Sequence, residues 1–180
     1  PWPTETWEKN ATIEMEKVCE LYDFCQTNKI PITSHCSDGG FLVDKKYEGL
    51  AHPHKWTTVL EKFPNLRINL AHFGADNKEW RKAIAQLILK YDNVYTDISY
   101  RGVDKGYYVS LWEFLDDQAP DERTKLMSRI IFGSDFMINL MAIESYGTYM
   151  KYFDETTAFT ITEKDMLCSK NPERFLFIAA

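Results

Sequence analysis

The sequence predicts an α/β fold, a parallel (β/α) half barrel, on three observations. Four short apolar, β-rich runs each end in a polar residue of catalytic type: Ile30-Pro-Ile-Thr-Ser-His35, Leu66-Arg-Ile-Asn-Leu-Ala-His72, Val94-Tyr-Thr-Asp97 and Ile130-Ile-Phe-Gly-Ser-Asp135. Helical patterns separate the runs, and strand–helix alternation builds a parallel sheet. A complete eight-stranded barrel needs about 250 residues, whereas the 180 residues here carry four such runs. Side chains at the carboxyl ends of parallel strands converge on one face, so His35, His72, Asp97 and Asp135 are expected in one pocket.

Taken in order, the elements follow from local pattern. Val18, Leu21, Tyr22 and Cys25 repeat at helical spacing and predict a helix over residues 12–27, ended by Asn28. After the first strand, the stretch 36–55 carries Asp38-Gly39-Gly40 with His52 and His54, and is long enough to serve as a lid or substrate loop. A short helix over 56–63 stops at Pro64-Asn65, and the second strand leads to His72-Phe73-Gly74. Asp76 with Glu79 predicts a capping box opening a helix whose apolar face is Trp80, Ala83, Ile84, Leu87, Ile88 and Tyr91. Asp92-Asn93 turns into the third strand, and 99–106 forms a second loop on the same face. Helices are expected over 109–115 and 122–128, then the fourth strand. Asn139 is the expected cap of a helix carrying Tyr146, Tyr149, Met150 and Phe153. Two helices close the chain, one begun by Thr162 with Asp165, the other by Asn171-Pro172.

Composition narrows the function classes. The chain is 44% hydrophobic and 27% charged, ordinary for one soluble globular domain over 1–180. A formal charge of -6 with no lysine- or arginine-rich run argues against nucleic acid or an anionic membrane and for a small-molecule substrate. No apolar window approaches a membrane span, the start lacks a signal-peptide layout, and a cytoplasmic location is expected. The chain opens on Pro1-Trp-Pro-Thr4, which reads as the middle of a loop and suggests a piece of something longer. Cys19, Cys25, Cys36 and Cys168 form no Cys-x-x-Cys pair. Cys36 beside His35 invites a nucleophile reading, with packing as the simpler role for all four.

The motif series resembles the carboxyl-terminal half of the amidohydrolase superfamily, specifically the branch related to amidohydrolase-2 decarboxylases and hydrolases. Pro31-Ile-Thr-Ser-His35 is similar to the fifth barrel strand with its metal histidine, and Pro64-Asn-Leu-Arg-Ile-Asn-Leu-Ala-His72-Phe-Gly74 to the sixth. Asn93-Val-Tyr-Thr-Asp97-Ile-Ser99 resembles the seventh, and Ile130-Ile-Phe-Gly-Ser-Asp135-Phe136 the eighth with its aspartate. Asn171-Pro-Glu-Arg-Phe175 resembles the terminal helix. The half barrel would then comprise strands five to eight of a TIM-like barrel.

By this resemblance His35 binds a divalent metal, zinc being the expected ion, and Asp135 binds the metal or acts as a base on its water. His72 is a second ligand or the acid/base, the latter being its usual role in the decarboxylase branch. The His-x-His pair of the family's first strand is missing, because the one His-x-His here is His52-Pro-His54 in a loop. Metal binding by this chain alone is therefore expected to be weak or absent.

Asp97 is expected to orient neighbouring groups, His52 and His54 to be exposed, and Tyr100 and Arg101 to bind a substrate carboxylate. The expected activity is that of a metal-dependent hydrolase or non-oxidative decarboxylase acting on a small carbonyl or carboxylate compound. The alternative is a non-catalytic half-barrel module; a nucleotide enzyme fits poorly without a Gly-rich phosphate loop. Four parallel strands leave two edges unpaired, so either a missing amino-terminal half or a second copy is the expected partner.

Overall fold

The structure, a computed structural model, describes residues 8–38 and 52–177, with side chains described from residue 15. Four strands, β1 (Ile32–His35), β2 (Ile68–Ala71), β3 (Val94–Asp97) and β4 (Ile130–Ile131), form one parallel sheet in sequential order. His35 lies opposite Ala71, Leu70 opposite Thr96 and Asp97 opposite Ile131, so the carboxyl ends are level. Sequential order with helices between neighbours is the half-barrel arrangement expected. β4 is two residues long, although beyond it Ser134 O still accepts from Tyr100 N–H at 3.4 Å.

The helices are α1 (Glu8–Thr27), α2 (Trp56–Lys62), α3 (Lys78–Lys90), α4 (Lys105–Asp116), α5 (Pro120–Met127), α6 (Phe136–Asn139), α7 (Tyr146–Glu155), α8 (Ile161–Asp165) and α9 (Asn171–Leu176). The main core lies between them and one face of the sheet, where Ile68, Leu70, Val94 and Ile130 meet Leu60, Ile84, Ile88, Leu111 and Phe153. On the other face Tyr95 and Ile131 are covered by Phe175 of α9. Strand alternation assigns Asn69, Tyr95 and Asp97 to that second face.

Several local expectations are corrected. In α1, Val18, Tyr22 and Cys25 meet the core together with Cys19, but Leu21 is 54% exposed and Phe24 is exposed beside it. Rotation by 100° per residue carries Leu21 off the flank of the stripe. The helix ends in a Schellman motif, Ile30 N–H donating to Cys25 O at 2.8 Å, with Lys29 left-handed where glycine is usual. The cap of α3 is Asn77, whose Oδ1 accepts from the amides of Glu79 (3.0 Å) and Trp80 (3.1 Å), because Asp76 is drawn to Arg101. α4 begins at Lys105, earlier than expected, because Asp104 caps it by accepting from Gly106 N–H at 2.9 Å.

Asn139 caps nothing: it is buried and donates to Ser134 O, while α7 starts after Ser145. α8 opens on Thr160 with Glu163, whose longer side chain reaches back to Thr160 N–H at 2.8 Å. A π-helical stretch, Met166–Lys170, joins α8 to α9, so the two closing helices are one continuous run. The expected lid falls largely outside the described residues; its end forms a 3₁₀ turn, Pro53–Lys55. No described helix is long and apolar enough to cross a membrane.

Candidate active site

Each strand end delivers one polar side chain, and the backbone beyond β2 is bent to aim His72. His72, Phe73, Gly74 and Ala75 all have positive φ (75°, 43°, 70° and 48°), a conformation L residues rarely adopt. At Gly74 a Cβ would sit 2.5 Å from Arg81 N, so only glycine lets α3 approach this turn. The turn is held from β3, because Asp97 Oδ1 accepts the His72 amide at 2.9 Å.

The imidazoles of His35 and His72 meet, with His35 Nδ1 3.0 Å from His72 Nε2. Beyond them the contacts continue as a chain: Ser37 Oγ lies 3.2 Å from His35 Nε2, and His72 Nδ1 lies 2.8 Å from Ser99 Oγ. Ser99 Oγ in turn makes a short hydrogen bond to Asp97 Oδ1. Elementary donor accounting sets the direction. An ionised carboxylate only accepts, so the Ser99 hydroxyl donates to Asp97 and its oxygen accepts from His72 Nδ1–H. His72 is therefore the Nδ1–H tautomer, and its Nε2 lone pair faces His35. Burial pushes the His72 imidazole below its usual pKa and His35 adds to this, against the opposing charges of Asp97 and Asp135. A neutral ring with a lone pair turned toward the pocket is what a ligand or a general base requires.

Asp97 is buried, and besides the His72 amide and the Ser99 hydroxyl it accepts from Ser99 N–H at 3.0 Å on Oδ1 and from Asn69 Nδ2 at 2.6 Å on Oδ2, bonds that tie it to the neighbouring groups. Asp135 is half-buried, left-handed at the start of α6, and close enough for its charge to act on His72. Tyr100 is also left-handed, with its ring 6.2 Å from that of His72. The Arg101 guanidinium is turned onto Asp76 (3.0 and 2.8 Å) and Asp104 (3.4 Å).

His52 and His54 hydrogen-bond to each other away from this cluster, with His52 against Trp80. Cys36 is buried and burial pushes its thiol up to about 12, which disfavours the thiolate a nucleophile requires. Ser99, Asn69 and Ser37 were given no role from sequence. The signal for Ser99 was the Asp-x-Ser spacing at a strand end, where a carboxylate accepts from the backbone two residues on. For Asn69 it was the strand alternation that places an amide beside Asp97.

The donor set fits part of a metal site. Two imidazole ligands on a tetrahedral ion with metal–nitrogen bonds near 2.0–2.1 Å stand about 3.3 Å apart, close to the 3.0 Å between His35 and His72. Among the described residues no three His, Cys, Asp or Glu side chains are grouped to hold an ion. Two nitrogens with a nearby carboxylate form an incomplete set, which further donors would have to complete.

Known proteins share this fold. An amidohydrolase from Burkholderia multivorans with bound zinc superposes with a TM-score of 0.60 at 18% identity, over 88% of this chain and 56% of that one. The same enzyme with bound HEPES gives 0.59 at 17%, over 88% and 56%. At such identity the likeness shows the fold, and the chain spans little more than half the length of these structures. No curated protein matches the sequence. The family comparison covers nearly everything, matching residues 1–178, and with the half-barrel sheet it establishes that the chain belongs to the amidohydrolase family.

Proposed function

We propose that the chain forms the carboxyl-terminal half, strands five to eight, of the barrel of a metal-dependent hydrolase or non-oxidative decarboxylase acting on a small carbonyl or carboxylate compound. The observation that carries this reading is the approach of His35 Nδ1 and His72 Nε2 to 3.0 Å at the ends of adjacent strands. His35 and His72 would hold a divalent ion, zinc by analogy with the related structure, with Asp135 as a further ligand or base. Such an ion supplies Lewis-acid polarisation and brings the pKa of bound water toward neutrality. The rest belongs to the chain. Ser99 and Asp97 keep the His72 Nε2 lone pair pointed inward, where it coordinates or accepts a proton from the reacting group. Asp135 offers a second proton acceptor across the pocket. Tyr100 contacts substrate from the ring edge of His72, and Arg101 takes a substrate carboxylate by exchanging it for Asp76. The missing ligands and the unpaired sheet edges are supplied by further polypeptide, in an amino-terminal half or a second copy.

Zinc titration by calorimetry tests this. Weak one-to-one binding is expected, abolished by His35→Ala and by His72→Ala and reduced by Asp135→Ala. Binding that survives all three substitutions would overturn the site and move attention to His52 and His54.

A further inference from the structure

A second cavity, of about 500 Å³, opens at the opposite end of the sheet, where the chain enters each strand. Arg67 immediately precedes β2 and Arg129 immediately precedes β4; Lys29 comes from the turn before β1 and Arg174 from α9. With four-residue strands rising about 3.3 Å per residue, this mouth lies roughly 13 Å from the histidines. The chemistry of the lining is unusual for a chain of net charge -6. Four cations line the cavity with one carboxylate, Asp92, which is hydrogen-bonded to Lys125 at 2.8 Å. Among the described residues none of the four cations forms an ion pair with a carboxylate.

Arg67 makes the case stronger. It is only 5% exposed, and its guanidinium donates to Arg174 O (3.1 Å) and Lys29 O (2.6 Å) while Nε–H has no acceptor. A buried guanidinium without a counter-charge is costly, and the two carbonyls relieve only part of that. Arg129 lies over the Tyr95 ring at 5.2 Å and commits Nε and one terminal nitrogen to backbone and Ser128, leaving the other terminal nitrogen available. A clasp role explains the two carbonyl contacts of Arg67 but not the gathering of Lys29, Arg129 and Arg174 around it.

We propose that this cavity is an anion-binding site for a phosphate-class ligand, built by Lys29, Arg67, Arg129 and Arg174 on the face opposite the histidines. Guanidinium groups recognise phosphate oxygens through paired N–H donors, and an excess of three positive charges suits a multivalent oxyanion better than a single carboxylate. The inference does not depend on the reaction proposed above.

Thermal melts in pyrophosphate, at ionic strength matched with sodium chloride, provide the test. A saturable rise in Tm at millimolar pyrophosphate is expected for the chain and for Lys105→Gln, a surface change outside the cavity. Arg129→Gln and Arg174→Gln should each weaken the apparent affinity by about tenfold. Arg174 is exposed, so its variant should fold, which the melt without ligand checks directly. No rise, or an equal rise in the arginine variants, would overturn the site. An equal response to succinate would overturn the phosphate assignment in favour of a carboxylate, whether free or carried by another polypeptide segment.

Discussion

The hydroxyl proton of Ser99 has one fully charged acceptor within reach, and everything from Asp97 to Ser37 takes its direction from that. At the His35 end, Ser37 Oγ can donate or accept. Ser99→Ala should therefore release the chain: His72 Nδ1–H loses its buried acceptor, and the ring moves to the Nε2–H form, donating to His35. Imidazole nitrogen chemical shifts in labelled protein, assigned with single histidine variants, read this directly; an unchanged Nδ1–H tautomer in Ser99→Ala would refute the positioning role. The same substitution should destabilise the fold by about 1.5–3 kcal/mol, as for a hydrogen bond to a charged group. At this scale the sequence was legible for the meeting of His35 and His72, because parallel strands bring their carboxyl ends to one edge of the sheet; the left-handed bend that turns His72 inward left no mark in it. It was less legible for Arg101. The carboxylate that Arg101 meets more closely, Asp76, lies 25 residues away, a contact that no local pattern encodes.

Among the elements, α9 is fastened by a buried amide as well as by the packing of Phe175. Asn171 is fully buried and its Nδ2 donates to Met127 O (2.8 Å) and Ile130 O (2.6 Å), tying the last helix to the loop and strand at β4. Asn171→Leu keeps the volume and strands the carbonyls, so stability should fall by about 1–3 kcal/mol. Urea denaturation measures it, and an unshifted midpoint would show that packing alone holds α9. Strands were readable because β-branched apolar runs bounded by turn residues have few other uses. Caps were not, since Asp76 and Asn77, or Thr160 and Thr162, are equal candidates by residue type. Reach decided the second pair: Glu163 spans back to the Thr160 amide, where the shorter Asp165 side chain was the expected partner of Thr162. The π-helical joint between α8 and α9 left no mark in the apolar spacing.

For the molecule as a whole, exposed apolar side chains include a run that follows β4, an edge strand of the described sheet: Phe136, Met137 (68% exposed), Ile138, Leu140 and Met141 (81% exposed), with Leu21, Phe24 and Ile30 also exposed earlier in the chain. Covering a large apolar side chain is worth about 1.5–3 kcal/mol, so several together favour association. At micromolar concentration the chain alone should sediment as a dimer or larger species, and Met137→Lys with Met141→Lys should shift it toward monomer. A monomer that binds no hydrophobic dye would contradict this.

The left-handed turn at His72 through Ala75 has no preference of its own for that shape. It is held by Asp97 and by the Arg81 guanidinium, which donates to Ala75 O at 2.7 Å, both contributed by later parts of the chain. Until β3 and α3 dock, His72 is an ordinary solvated histidine with either ring nitrogen protonated. A nascent or partly unfolded chain thus lacks the paired imidazoles, and their approach arises in the same cooperative event that buries the core.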